Sequence, residues 1–372
     1  MSIEVTAGVW AGVSTLLDSY LRVSTGDRLA ILYTADCREP AAWTLVAARE
    51  RGLDPVALPM RPLEDAGLST RLWEALRPAL SRPGRVVILT LEKHSMSHFS
   101  MLREVQARLG VGRCDVVRII NGSAELFSHA MNSTPEELSE YNASLYGRFR
   151  AADRITVQTP AGTSLEVEFD HERYTWTSNR GMLRKGSFLV LPAGELATYP
   201  ARIKGRLVAD AAFNANVYTT LDSRLSRHPV SVEIADGQAV DFSCDDPQIS
   251  KFIEMCWDIP NARRVGELGF GTNAGISQLV PLNSHINERA PGVHIGFGEH
   301  NQPLRVVDYR CDIHLDLIAT GGMVISGEED VIDLSRPVRD GTPHPDGVND
   351  EDIDGDCCAL SFDQCRALGA LS

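Results

Sequence analysis

The sequence lacks several features that would settle its class at once. It has no run of about 18 apolar residues, so no membrane-spanning helix is expected. The N-terminus, MSIEVTAGVW, has no basic stretch leading into a long apolar one, so no secretory signal is expected. Positive charge is in deficit: 36 Lys and Arg against 50 Asp and Glu, a formal net charge of −14. A polyanion would be repelled by most of such a surface, so neither nucleic acid nor a membrane is an expected partner. The eight cysteines (Cys37, Cys114, Cys244, Cys256, Cys311, Cys357, Cys358 and Cys365) include no CxxC pair. That excludes zinc-finger spacing, and disulfide scaffolds are smaller and denser in cysteine. Reduced thiols in a cytoplasmic protein are the expectation.

Familiar catalytic signatures are missing as well. There is no P-loop, no GxSxG elbow and no HExxH. GELGFG (266–271) reverses the dinucleotide fingerprint, and no long helix is expected after it. DEDIDGD (350–356) has a calcium-loop flavour but does not complete the full pattern, because Ser361 stands where the twelfth-position Glu is required. HSMSH sets His94 and His98 at i and i+4, where one helix face would present both rings. With no third ligand near them in sequence, they read as polar surface or substrate contacts.

What is present is a chain of 372 residues, 43% hydrophobic, enough for two cores. The first part alternates. Apolar runs at 26–34, 53–60, 84–92 and 114–120 read as strands, and helical spacing fills 40–52, 70–80, 98–110 and 134–152. This predicts an α/β domain over 1–152, a parallel sheet with helices on both faces. From 153 to 334 short alternating strands with Gly and Pro turns follow, interrupted by one helix at 246–259. This predicts a β-rich α+β domain. Residues 335–372 read as an acidic arm rich in Pro, Gly and Asp.

Four segments of the second domain share a physical oddity: ionisable groups set in apolar or glycine-rich surroundings that do not tolerate them unpaired. In VGELGFGTN (265–273), strand alternation puts Leu268 and Phe270 on one face and Glu267 on the other, beside Gly269 and Gly271. GVHIGFG (292–298) repeats the design, with His294 between Gly292 and Gly296. CDIHLDL (311–317), read as a strand, carries Asp312, His314 and Asp316 on one face. LPAGELATYP (191–200) sets Glu195 in a turn, and NERAPG (287–292) adds Glu288. Glycine inside a strand marks a close approach by a ligand or another backbone. Carboxylates and imidazoles gathered this way are the ligand set of a hard or borderline divalent metal. The alternative is ion pairing of Glu267 or Asp316 with Arg263, Arg264, Arg289 or Arg310.

In their order, VLPAGELATYP, GELGFGTN, ERAPGVHIGFG and IHLDL resemble the motifs of the metal-dependent aminopeptidases of thermophilic bacteria (aminopeptidase T type) and related leucyl-aminopeptidase-like proteins. RITVQTPAGTSLEVEF and the HSMSHFSMLREVQARLG region fit the same layout. The resemblance implies an N-terminal α/β domain, a β-rich catalytic domain and a homodimer. It also implies divalent metal (zinc, cobalt or manganese) held by Glu195, Glu267, Glu288, His294, His314 and Asp316, with Glu195 or Glu267 as general base. The same superfamily includes the 2,5-dihydroxypyridine 5,6-dioxygenase type, which uses one non-heme iron(II) held by two histidines and an aspartate. There His314 and Asp316 would be ligands, Glu267 stands where that type has its other histidine, and His294 or His300 would compensate; His300 is also, with His94 and His98, a candidate substrate contact. The two implied activities are hydrolysis of a peptide or amide bond and oxygenation of a small aromatic or heteroaromatic substrate.

Overall fold

The computed structural model describes residues 6–348 except 82, 95, 96, 111, 185–187, 218, 327–329, 337 and 347. The would-be calcium loop, Cys357, Cys358 and Cys365 lie outside the described residues. Within them Cys37, Cys114, Cys244, Cys256 and Cys311 are free thiols. No described helix is long and apolar enough to cross a membrane.

The described residues form two compact units, the first from residues 6–135 and 181–192 and the second from 136–180 and 193–348. In the first, α1 (Ala7–Thr15), α2 (Arg38–Glu50), α3 (Leu68–Leu80), α4 (Phe99–Leu109) and α5 (Ala124–Ser128) accompany a five-stranded sheet. Its strands are β1 (Arg28–Tyr33), β2 (Val56–Pro59), β3 (Val86–Glu92), β4 (Cys114–Ile120) and β8 (Phe188–Leu191), in the order β2-β1-β3-β4-β8, all parallel. The central strands β3 and β4 are buried along their whole length, so they read as unbroken apolar runs. Leu68, Leu72 and Leu76 of α3 recur one turn apart and are buried, the stripe that predicted a helix.

Two features of this unit escaped the periodicity. In α1 apolar residues fall all round the helix, so it has no stripe to detect. Gly12 seats it directly on α5, where any Cβ would overlap the Phe127 carbonyl. The fifth strand, β8, comes from beyond residue 152, so the units do not divide at a single cut there.

The second unit opens with α6 (Pro135–Arg150). The hairpin expected at residues 153–169 forms as β5 (Arg154–Gln158) and β6 (Ser164–Glu168). With β10 (Arg202–Ala209), β12 (Val230–Ala235), β13 (Gln238–Ser243), β17 (Met323–Ser326) and β18 (Asp330–Asp333) they make a seven-stranded antiparallel sheet. A six-stranded antiparallel sheet holds β7 (Trp176–Asn179), β9 (Glu195–Thr198), β11 (Ala212–Ala215), β14 (Val265–Gly271), β15 (Gly292–Gly298) and β16 (His314–Thr320). Its order is β11-β16-β15-β14-β9-β7. The expected helix is α7 (Pro247–Trp257), opened by Asp246, whose carboxylate accepts from the Gln248 and Ile249 amides. A second, short helix, α8 (His285–Glu288), was not expected. This architecture, an α/β unit followed by a β-rich unit, is the one the sequence predicts.

Candidate metal centre

The six-stranded sheet sorts its side chains by the strand period of two. On one face, Leu196, Leu268, Phe270, Val293, Ile295, Phe297, Leu315 and Leu317 are fully buried in the core of the unit. The other face carries the chemistry, and the register sets it in rows. Glu267 stands opposite Gly296, Gly296 opposite Asp316, and Asp316 opposite Asn214. His294 stands opposite Gly269, Glu195 opposite Gly271, and His314 opposite Gly298. Each polar group thus has a glycine beside it on the neighbouring strand. A Cβ on Gly269 would overlap the His294 imidazole. One on Gly296 would sit 2.9 Å from Asp316 Oδ1, Glu267 Cβ and His314 Cε1 alike. The glycines clear the room that the sequence pattern implied.

Two groups of donor atoms result: Glu195, Glu267 and His294, and Glu267, His314 and Asp316. Glu267 belongs to both. All five residues are buried. His294 Nε2 lies 2.9 Å from Glu195 Oε1 and 3.5 Å from Glu267 Oε1, yet neither approach has hydrogen-bond geometry. His314 Nδ1 is 2.9 Å from the Glu299 carbonyl, which suits donation from Nδ1 and turns the Nε2 lone pair toward Asp316 Oδ1 at 3.0 Å. Two acceptors at that distance require a positive charge between or upon them.

Titration follows the same crowding. Burial opposes charge on His294, but the carboxylates of Glu267, Asp316 and Glu288 outweigh it and raise its pKa. Burial would raise Asp316, but His314 and then His294 hold it well below the usual carboxylate range. Burial raises Glu288. One imidazole and two carboxylates per group, with room cleared by glycine and an imidazole nitrogen aimed at carboxylates without a hydrogen bond, fit a hard or borderline divalent ion.

Several expectations need correcting. Glu195 is the first residue of β9, just after the turn. Glu288 ends α8 outside both donor groups, and its oxygens are taken: Oε2 accepts from Asn214 Nδ2 at 2.6 Å, and Oε1 lies 2.7 Å from His285 Nδ1. Asp312 precedes β16 and is exposed. His94 and His98 share no helix face, because α4 starts at Phe99. His94 is exposed, and His98 adopts a left-handed backbone (φ 62°) with Nε2 2.8 Å from the Arg61 carbonyl. Both are in the N-terminal unit. His300 has both nitrogens engaged, Nε2 with the Tyr309 carbonyl and Nδ1 with the Gln302 amide, so it is not placed to compensate as a ligand.

The ion-pair alternative also resolves. Arg263 lies over the Trp257 ring, Arg264 over Tyr309, and Arg310 pairs with Glu299. Arg289, 1% exposed, does enter the site but meets other acids than expected: Glu195 through Nη1, and Glu288 Oε1 at 3.3 Å through Nη2. Asn214, His285 and this placement of Arg289 had no periodic signal. The nearest hint was Arg289 following Glu288 directly in NERAPG.

Two solved structures are similar over nearly the whole chain. The 2,5-dihydroxypyridine dioxygenase of Pseudomonas putida KT2440 aligns with a TM-score of 0.56 and 16% identity, covering 90% of this chain and 100% of its own. Wild-type AmpT from Thermus thermophilus aligns with a TM-score of 0.54 and 14% identity, covering 89% and 99%. The chain shares their fold. That fold, an α/β unit followed by a β-rich unit, is the one the motif resemblance implied. The family described as Crocagin biosynthetic protein CgnE/B matches residues 209–309, a stretch that holds Glu267, Glu288, Arg289 and His294 but not Glu195, His314 or Asp316. A comparison with curated proteins finds no match.

Proposed function

We propose that this chain is a cytoplasmic, homodimeric, metal-dependent hydrolase that cleaves a peptide or amide bond. One observation carries the choice of hydrolase over oxygenase. Each donor group among the described residues combines one histidine with two carboxylates, and the groups share Glu267. An iron(II) oxygenase centre of the two-histidine, one-carboxylate kind needs both imidazoles at one point. His294 and His314 fall in different groups.

When bound, a divalent ion supplies Lewis acidity toward a carbonyl oxygen and lowers the pKa of water. The candidate ligands are Glu267, His294, His314 and Asp316. Glu195 Oε1 faces the centre beside His294 Nε2 and is placed to take a proton as general base, with Glu267 as the alternative. The Glu299 carbonyl fixes the His314 ring, so its Nε2 stays turned to the centre. The apolar face beneath the site holds the strands rigidly in register, so the donors are pre-positioned.

Metal analysis of protein purified without added metal, with two activity assays beside it, tests the proposal. Zinc, cobalt or manganese together with amine release from peptide amides is the expected result. Iron, with oxygen uptake in the presence of a hydroxypyridine, would replace this reading with the oxygenase one.

A further inference from the structure

We infer that Arg289 is the resident second cation of this centre, so that the chain binds one divalent ion tightly, at Glu267, His314 and Asp316. The inference rests on the metal-binding part of the proposed function and not on the reaction catalysed.

Four carboxylates are buried together: Glu195, Glu267, Glu288 and Asp316. Such a set is stable only if cations offset it. Arg289 divides it. Its guanidinium holds Glu195 through Nη1 and Glu288 through Nη2, and Asn214 and His285 complete the hydrogen bonds of Glu288. Glu288 is thereby an anchor for Arg289 and has no oxygen left for a metal. Glu195 gives one oxygen to Arg289 and turns the other to His294. The donor group containing Glu195 therefore already has a fixed positive charge against it.

The other group is different. Glu267 is 8% exposed, and its ion-pair contact is His294 Nε2 at 3.5 Å, without hydrogen-bond geometry. Asp316 Oδ1 lies 3.0 Å from His314 Nε2, and its Oδ2 lies 3.5 Å from Asn214 Nδ2. No arginine or lysine reaches either carboxylate among the described ion pairs. The negative charge that no permanent cation offsets is concentrated where Glu267, His314 and Asp316 converge, and a dication placed there neutralises it, displacing the protons the two imidazoles would otherwise carry. A second dication at Glu195 and His294 would lie against the guanidinium. Repulsion in this low-dielectric setting makes its binding weaker by at least about 100-fold.

The test is a titration of chelator-stripped protein with Zn²⁺ alone and with Mn²⁺ alone, read by equilibrium dialysis and elemental analysis. Wild type is expected to hold one tight ion per chain. Arg289→Met should gain a second, and Arg289→Lys, which keeps the charge, should stay at one. Circular dichroism confirms that each variant is folded. Glu195→Gln provides a test that leaves Arg289 in place: it should keep the tight ion.

Two equally tight ions in wild type would overturn the inference. So would a folded Arg289→Met that stays at one, or loss of the tight ion in Glu195→Gln. Failure to hydrolyse amides, with these stoichiometries intact, would sink the proposed function and leave the inference standing. No ion bound to wild type would overturn both.

Discussion

Alanine at Gly296 would test whether the glycines of this sheet exist to make room for ligands. Gly296 has an ordinary strand backbone, outside the positive-φ region, so the added Cβ brings no backbone strain. Its effect is local. The methyl carbon would sit 2.9 Å from Asp316 Oδ1, Glu267 Cβ and His314 Cε1. Carbon contacts are comfortable at about 3.5–4.0 Å, so all three neighbours must retreat by several tenths of an ångström. Metal-ligand distances tolerate only about 0.2 Å. The methyl therefore moves every ligand of the proposed tight site beyond that tolerance at once.

By analogy with the loss of groups that orient metal ligands, affinity should fall by about 10–100-fold, or about 1.4–2.7 kcal/mol. Overpacking should cost about 1–3 kcal/mol of stability, leaving a folded protein. Competition against a chelator of known affinity measures the first, and urea unfolding of the metal-free protein measures the second. Gly147 on α6 is the control: it is exposed, nothing lies within 4 Å of its missing Cβ, and alanine there should leave metal affinity unchanged. Wild-type affinity in folded Gly296→Ala would refute the reasoning.

Two further outcomes are expected. His314→Ala and Asp316→Ala should each abolish tight metal binding while circular dichroism stays native; full metal content in either would remove this strand from the site. Asp65→Asn probes the N-terminal unit. The hydrogen-bonded Arg71 guanidinium lowers the Asp65 pKa to about 2, so its contribution to stability is complete above about pH 4 and is lost as pH falls through about 2. With Arg71 40% exposed to screening solvent, the variant should lose about 1–2 kcal/mol near pH 7 and only a small fraction of that near pH 2. An equal loss at both pH values would show that the pair is not the cause.

Period and composition made much of this molecule legible. The strands β1, β3 and β4 and the helices α2, α3 and α4 fall within about two residues of where the apolar runs and stripes put them. So did the alternation in VGELGFG and GVHIGFG, because a strand's two-residue period dictates which side chains share a face whatever the sheet around it. Other features carried no such local signal. Helix α1 is apolar all round, and β8 joins a sheet assembled far earlier in the chain. His98 took a left-handed backbone where a helix was expected, because α4 starts one residue later.

What the sequence by itself determined is the type and facing of the donors: Glu267, His294, His314 and Asp316, each on the polar side of an apolar strand or beside a glycine. Local spacing is enough to fix that. Only the tertiary structure decided which donors meet, because meeting depends on register between strands that are distant in sequence. Register set Glu267 in both groups and kept His294 apart from His314. Tertiary packing also turned Glu288, expected as a ligand, into the anchor of a buried arginine. The charge balance of a buried site depends on every side chain that reaches it in space, and a pattern along the chain does not record which ones do.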